Sequence, residues 1–310
     1  MEITAKMVKE LREKTNAGMM DCKKALAECG GDMEKAKDWL REHGLATVSK
    51  RAGRTAKEGV IATSVSADGK RAAIVELNTE TDFVAKVDSF RALAQSVALY
   101  LAGPVPVPAS AQALLETVSP EAGRPFADLL NDATALTGEK SELRRVAVLE
   151  ASGDSFVHAY NHAGDKLAVL AQLTVEKPGP AADEAAHALA MQIAAAAPLV
   201  VNASELNPAD VEREKKIYLE QLRQENEELA KEGKKGKPEA MWPKIVEGKL
   251  KKIYYEQVVL SEQKYIREPE LTVAQWLQSL KDSLGKVTIQ KFVRFQLAEE
   301  LVGEDAGEKS

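Results

Sequence analysis

Apolar residues in the first part of the chain recur at the spacing of short helices. One helix is expected to begin after Thr4, with Val8 and Leu11 on its buried face. A bundle of short helices is only marginally stable by itself, so residues 1–46 are predicted to form a three-helix module attached to a larger body. Residues 47–59, TVSKRAGRTAKEG, are polar and basic and are predicted to be the linker.

Two aspartates mark the predicted starts of the second and third helices. Asp21 can cap a helix over Cys22–Cys29, which the glycine pair at 30–31 would end. Asp32 can cap a helix over Met33–His43, which would end at the glycine that follows it.

Beyond the linker the pattern changes to alternation and short apolar runs, which is typical of strands. The four predicted strands are Val60–Val65, Ala72–Leu77, Phe156–Tyr160 and Leu167–Val175. An offset of 96 residues maps the first strand pair and its helix onto the second: Val60 onto Phe156, Leu77 onto Leu173 and Val97 onto Ile193. This register predicts a duplicated β-β-α unit, with helices on one face of each antiparallel sheet. The fold class is therefore α+β, with an N-terminal subdomain over 60–151 and a C-terminal subdomain over 152–302.

The second subdomain contains a long charged helix that begins at Asn207-Pro208 and is broken by GKKGKP. Its narrow apolar seam predicts a partner helix, so residues 207–257 are expected to form a protruding helical hairpin. The second arm carries the apolar residues Met241, Ile245, Leu250 and Ile253. The lysines at the break form either a basic tip or an ordinary solvated turn. A C-terminal helix is predicted over Thr288–Leu301, and residues 303–310 are predicted to be disordered.

Composition narrows the class of protein. Apolar residues make up 45 % and charged residues 29 % of the chain, which is typical of a globular protein. The formal net charge of −6 argues against direct nucleic-acid binding. No apolar run approaches the roughly 20 residues of a membrane span, so a cytoplasmic protein is expected. Cys22 and Cys29 would lie about 10 Å apart on one helix, too far for a disulfide.

Motifs for catalysis or cofactor binding are missing from the sequence. It contains no phosphate-binding glycine loop, no H-E-x-x-H and no G-x-S-x-G. His158 and His162 are four residues apart in a predicted strand, where they are not neighbours on one face, so they are a poor metal pair. The sequence therefore predicts a protein that is not an enzyme and needs no cofactor or metal. A hydrolase with an unfamiliar site remains the alternative.

The two copies of the repeat differ most after their second strand. The second copy has an ordinary Pro/Gly loop, TVEKPGPAA, whereas the first has NTETDFVAK at 78–86. Thr81 could cap the helix that follows, which would place Asp82 and Phe83 in its exposed first turn. The alternative from the pattern alone is that Phe83 folds back onto the core.

Several motifs resemble the elongation factor Ts family of bacteria. NTETDFVAKVDSF at Asn78–Phe90 is similar to the most diagnostic motif of this family, and the module segment Glu10–Gly44 is similar to a second one. Further matches are REPELTVAQWL at Arg267–Leu277 and FVRFQLAEEL at Phe292–Leu301. The resemblance implies a ubiquitin-associated-like three-helix module, a core of two antiparallel subdomains, a protruding hairpin and a C-terminal helix.

The resemblance also implies a function and a set of contact residues. Members of this family bind the translation GTPase elongation factor Tu, displace its Mg²⁺ and promote GDP release so that GTP can bind. The residues that match the Mg²⁺-displacing element are Thr81, Asp82, Phe83 and Val84. Those that match the contact surface of the module are Arg12, Met19, Met20 and Lys23; from the pattern alone, the two methionines would be core residues. His162 matches a position that touches another domain of the partner, although the HAGDK that begins at His162 departs from the family pattern.

A different function class also remains open. The three-helix module alone could serve as an adaptor that binds a ubiquitin-like partner. That interpretation predicts full binding by residues 1–50 and leaves the long core motif unexplained.

Overall fold

The computed structural model of the chain describes residues 3–15, 17, 19–51, 53–162 and 164–300. Helices and antiparallel sheet are both present, which confirms the predicted α+β class. The strands are β1 (Glu58–Val65), β2 (Arg71–Thr79), β3 (Glu142–Glu150), β4 (Ser155–Asn161), β5 (Leu167–Val175), β6 (Lys264–Tyr265), β7 (Glu268–Thr272) and β8 (Val287–Gln296). The α-helices are α1 (Ala5–Thr15), α2 (Met19–Glu28), α3 (Met33–Arg51), α4 (Asp82–Ala85), α5 (Asp88–Ala102), α6 (Ala111–Leu115), α7 (Phe126–Thr137), α8 (Pro180–Ala196), α9 (Pro208–Lys231), α10 (Trp242–Lys249), α11 (Glu256–Val258), α12 (Val273–Ser279) and α13 (Lys281–Leu284).

These elements form two compact units. The first takes the described residues of 1–150, 159–170 and 295–300, and the second takes 151–158 and 171–294. The predicted subdomain boundaries at 60–151 and 152–302 remain predictions.

The three N-terminal helices form as predicted and share a small core. Val8 and Leu11 of α1 are buried against α2 and α3. The Asp32 side chain accepts hydrogen bonds from the backbone amides of the first turn of α3, which confirms it as the cap.

Two helix boundaries predicted in the module are wrong. Helix α2 begins at Met19 rather than at Cys22, so Asp21 lies inside its first turn instead of capping it. Helix α3 does not end at the glycine after His43 but continues to Arg51, across the first part of the predicted linker. A single glycine costs a helix only about 1 kcal/mol, and the packing of α3 against α7 opposes that cost.

The first sheet has the order β1-β2-β3, with antiparallel pairing throughout. Helix α5 packs against β1 and β2, and the apolar side chains between them form the main core of the first unit. Strand β3 is not among the four strands predicted from the sequence. It is the third strand of this sheet, with Leu143 and Leu149 buried six residues apart.

The second sheet has the order β4-β5-β8. The C-terminal helix predicted over Thr288–Leu301 is wrong, because Val287–Gln296 is a strand. Buried Ile289 and Phe295 lie six residues apart, an even spacing that places both on one face of a strand but on different faces of a helix. Residues 287–296 form a strand because they pair with β5 at the edge of the sheet. Leu301 and the predicted disordered tail at 303–310 lie outside the described residues.

Helices α9 and α10 pack against each other and support the predicted pair of helical arms. Buried Tyr218, Leu222, Val246 and Leu250 join them. Of the apolar residues of the second arm, Leu250 is buried, whereas Met241 and Ile253 are exposed. The chain is a 3₁₀ turn at Glu239–Met241 and a π-helix at Leu250–Tyr255, and both change the number of residues per turn.

Two lysines of the predicted basic tip form ion pairs with glutamates of the same hairpin. Asn226 bonds both the backbone amide and the carbonyl of Lys237, whose ammonium lies 2.7 Å from Glu225. The ammonium of Lys234 lies 2.8 Å from Glu232. These contacts favour the solvated-turn interpretation over a free basic patch.

A half-buried histidine, His158, next to the exposed His187 predicts a pH dependence of stability. His158 Nε2 lies 3.3 Å from His187 Nδ1, and burial, followed by the charge of His187, lowers the pKa of His158. The unfolded chain then binds more protons than the folded chain below about pH 6.5. The free energy of unfolding should therefore fall as the pH is lowered from 7 to 5.5, by at most about 1.4 kcal/mol per pH unit for this group.

Chemical denaturation at several pH values tests this dependence. His158→Gln should make the fall shallower, whereas His162→Gln, at the exposed histidine that follows the same strand, should leave it in place. An unchanged slope in the His158 variant would contradict the assignment.

Candidate functional site

The candidate site is built on the four-residue helix α4, which follows β2. Thr81 is its N-cap, with extended backbone and a side chain that accepts from the amide of Val84. Phe83, in the first turn, is 79 % exposed, whereas Val84 and Ala85 are buried in the core beneath it. The prediction of a cap followed by an exposed first turn is confirmed, and the alternative that Phe83 folds onto the core is wrong.

An isolated helix of one turn has no stability of its own, so α4 depends on its surroundings. Burial of Val84 and Ala85 anchors one face. Helix α5 begins only three residues after the end of α4, and its first turn is closed by a hydrogen bond from the amide of Phe90 to the carbonyl of Val87. Phe83 is therefore a large apolar side chain held in water by a short, anchored turn.

The carboxylate of Glu139 also holds the start of this turn. One of its oxygens accepts from the backbone amide of Thr81 at 2.9 Å and from the hydroxyl of Thr79 at 3.1 Å. The other accepts from the hydroxyl of Thr81 at 2.7 Å. The sequence does not predict the contact between Glu139 and Thr81, because the two residues are 58 positions apart.

Asp82 is ionised and paired in this site. Its carboxylate lies 2.6 Å from the ammonium of Lys86, one helical turn on. The hydrogen bond from Lys86 lowers the pKa of Asp82, with a smaller contribution from the positive charge of Lys166. Since Lys86 and Asp82 are both solvent-accessible, the pair contributes little to stability, and Asp82 carries its negative charge at neutral pH.

The four residues expected on the module surface are all exposed. Met20 is 75 % exposed, and Arg12, Met19 and Lys23 also lie at the surface. Met19, Met20 and Lys23 occupy one face of α2, because residues three and four apart on a helix are neighbours. The pattern-based assignment of the two methionines to the core is therefore wrong, and their flexible thioether side chains form an exposed apolar surface.

His162 is exposed and lies in the turn that joins β4 and β5. Its backbone amide bonds the carbonyl of Leu167, and its Nδ1 lies 2.8 Å from the hydroxyl of Tyr160. The same turn is fixed to β1, because the amide of Ile61 donates to the carbonyl of Asp165 at 2.7 Å. The structure thus places His162 on a fixed turn but gives no contact between it and Phe83.

Comparison with known proteins decides which family this site belongs to. The family described as Elongation factor TS matches residues 80–299, which begin one residue before the cap of α4. The chain belongs to the elongation factor Ts family. This assignment makes it a protein of translation elongation.

Full-length relatives support the same assignment. The chain is 42 % identical over 313 aligned positions to elongation factor Ts of Nitratidesulfovibrio vulgaris strain DP4, covering 99 % of this chain and 100 % of the relative. It is 40 % identical to the protein of that name from Agrobacterium fabrum, over 98 % of this chain and 96 % of the relative. It is 41 % identical to that of Prosthecochloris aestuarii, over 96 % and 99 %. These alignments include the N-terminal module, which the family match leaves out.

Among the described residues, no group of three His, Cys, Asp or Glu side chains is arranged to hold a metal ion. Cys22 is buried and Cys29 is half-buried, and both are free thiols. Within the described ranges, no helix has both the length and the apolar composition that crossing a bilayer requires.

Proposed function

We propose that this protein is a guanine-nucleotide exchange factor for elongation factor Tu. It binds the GDP form of that GTPase in the cytoplasm, displaces the Mg²⁺ and promotes GDP release so that GTP can bind. It needs no cofactor of its own and breaks no covalent bond. The observation that carries this proposal is the exposed Phe83 on an anchored turn, within a segment that belongs to the elongation factor Ts family.

Burial of Phe83 supplies part of the required energy. A nucleotide held at nanomolar affinity corresponds to about −12 kcal/mol, and a thousandfold faster release requires about 4 kcal/mol of differential stabilisation. Burying one phenylalanine side chain in the partner contributes about 1.5–3 kcal/mol. Phe83 therefore needs a broader interface, for which the exposed module residues Arg12, Met19, Met20 and Lys23 are candidates.

Phe83 would act as a wedge beneath the Mg²⁺ site of the partner. Solvent covers most of this side chain in the free protein, so moving it into an apolar crevice is favourable. Thr81 and Val84 contribute by holding the turn, one as its cap and the other from the core. Their role is to keep Phe83 in place when it is pushed against the partner.

Asp82 would add an electrostatic contribution. Its carboxylate is negative at neutral pH and its partner Lys86 lies in solvent. Brought close to the groups that hold Mg²⁺, this charge can repel neighbouring carboxylates or compete for hydrogen-bond donors. His162 would make a separate contact with another domain of the partner.

Reciprocity follows from thermodynamic linkage. If this protein weakens GDP binding by a given factor, GDP weakens the binding of this protein by the same factor. GTP should likewise displace it. One molecule can then act on many copies of the GTPase.

Release of a fluorescent GDP analogue from bacterial elongation factor Tu tests the function. With this protein at one-twentieth of the GTPase concentration and excess unlabelled nucleotide, we expect complete release with multiple turnovers. Binding without acceleration would instead support the adaptor alternative, and no binding to a well-matched partner would contradict the proposal.

Met20→Ala should weaken binding to the partner without slowing GDP release from the complex once it has formed. Met20 is 75 % exposed and is not part of the core of its module, so its removal costs contact area and leaves the fold intact. We expect the concentration of this protein that gives half-maximal release to rise about fivefold, with an unchanged maximal rate. Titration of the release rate against protein concentration separates the two quantities.

A matched control for Met20→Ala is Met241→Ala, at another exposed methionine, in the second unit. It should leave both quantities unchanged. A lower maximal rate in Met20→Ala would contradict a purely binding role for the module.

A further inference from the structure

Two loops of the first unit exchange hydrogen bonds in both directions next to the wedge. Glu139 accepts from the backbone amide of Thr81, and Glu80 accepts from the backbone amide of Lys140 at 2.7 Å. We name these four residues, together with Thr79, the clasp. Each loop thus supplies a carboxylate to the main chain of the other, and the hydrogen bond from the Lys140 amide is the largest cause of the lowered pKa of Glu80.

The clasp lies immediately before the residues that contact the partner in the proposed function. Thr81 is the last residue before α4, and both its amide and its hydroxyl donate to Glu139. Two bonds to one residue fix both the position and the rotation of the cap. Because α4 has only four residues, any rotation of its cap is passed directly to Phe83.

The clasp is also connected to the N-terminal module. Glu80 is paired with Arg54 at 3.0 Å and lies 3.6 Å from Arg51, the last residue of α3. These arginines reach the same carboxylate that bonds Lys140. The module and the wedge are therefore joined through one glutamate.

We infer that Glu139 is a positioning residue: it acts through Thr81 to hold Phe83 at the angle that nucleotide release requires. This inference rests on the proposed exchange function. Glu139 does not itself contact the bound nucleotide or Mg²⁺ of the partner. Its effect is expected in the maximal rate of release, since affinity comes from the wider interface.

Substitution of Glu139 tests this role. Glu139→Ala removes three hydrogen bonds to a charged acceptor, and we expect the maximal rate of GDP release to fall about tenfold, with a half-maximal concentration within about twofold of the original. Glu139→Gln keeps an oxygen for the Thr81 and Thr79 donors and should recover most of the rate. The matched control is Glu142→Ala, three residues after Glu139, which removes a carboxylate that pairs with the ammonium of Lys140 and should have no effect.

A double-mutant cycle distinguishes positioning from a general loss of structure. In a Phe83→Ala background, Glu139→Ala should change the maximal rate by less than about twofold, because the side chain it positions is gone. An equal loss in both backgrounds would overturn the inference, as would an unchanged rate in the single Glu139→Ala variant. Thermal unfolding of all variants monitors the fold.

The outcome for the unsubstituted protein separates this inference from the proposed function. If the unsubstituted protein does not accelerate release, the exchange function itself is wrong. If it does so and Phe83→Ala slows release while Glu139→Ala does not, only the positioning role is wrong.

Discussion

Phe83→Ala is expected to lower the maximal rate of GDP release by about 10- to 100-fold, which is the rate equivalent of about 1.5–3 kcal/mol. Because Phe83 is 79 % exposed and lies outside the core of the first unit, its removal should not change the free energy of unfolding. The release rate at saturating protein, together with chemical denaturation, tests both parts of this prediction.

The matched control for this prediction is Leu99→Ala. Leu99 is another large, exposed apolar residue of the first unit, on α5. It should leave the rate of release unchanged. A similar loss in both variants would mean that exposed apolar area in general, rather than the wedge, supports release.

The second large effect is expected at a buried ion cluster in the first unit. Glu76 is fully buried and its carboxylate lies 3.2 Å from Arg144 and 2.5 Å from Arg145. It also accepts from the backbone amide of Ala298 at 2.9 Å, and Arg145 stacks on the ring of Phe295 at 3.9 Å. This one side chain therefore connects the sheet to the segment that follows β8.

Glu76→Ala should lower the free energy of unfolding by about 3–5 kcal/mol, because it removes the fully buried carboxylate that both arginines contact, and the other carboxylate beside Arg145, that of Glu299, is more exposed. Glu150→Ala removes an exposed partner of Arg71 on the same sheet and should cost less than about 1 kcal/mol. Chemical denaturation of both variants tests the contrast. Equal losses would contradict the importance of burial at Glu76.

Local chemistry explains why some elements were predictable from the sequence. The Asp32 and Thr81 caps depend on a side chain and amides two or three residues away, so the sequence contains the whole interaction. Strand β5 has the predicted limits, Leu167–Val175, because its mostly apolar run lies between two polar turns. The pattern around Phe83 left both an exposed and a core position open, and the structure shows the exposed one.

Partners that are distant in sequence explain the errors. Val287–Gln296 contains aromatic residues at helical spacing, and only its place in the sheet with β5 shows that it is a strand. Helix α3 passes through a glycine because α7 packs against it. Glu139 has no motif of its own, since its three donors come from the end of β2 and from Thr81. The sequence and its family resemblance therefore pointed to Phe83 but not to Glu139, which bonds the cap of the same turn.

The central claim is that Phe83 promotes nucleotide release by displacing Mg²⁺, and the most direct test varies Mg²⁺ itself. GDP release from elongation factor Tu should be measured at saturating protein, with the unsubstituted chain and with Phe83→Ala, first in Mg²⁺ and then after chelation. The account predicts a large rate ratio between the two proteins in Mg²⁺ and a ratio close to one without it, because chelation completes the step that Phe83 performs. An equally large ratio after chelation would contradict the account.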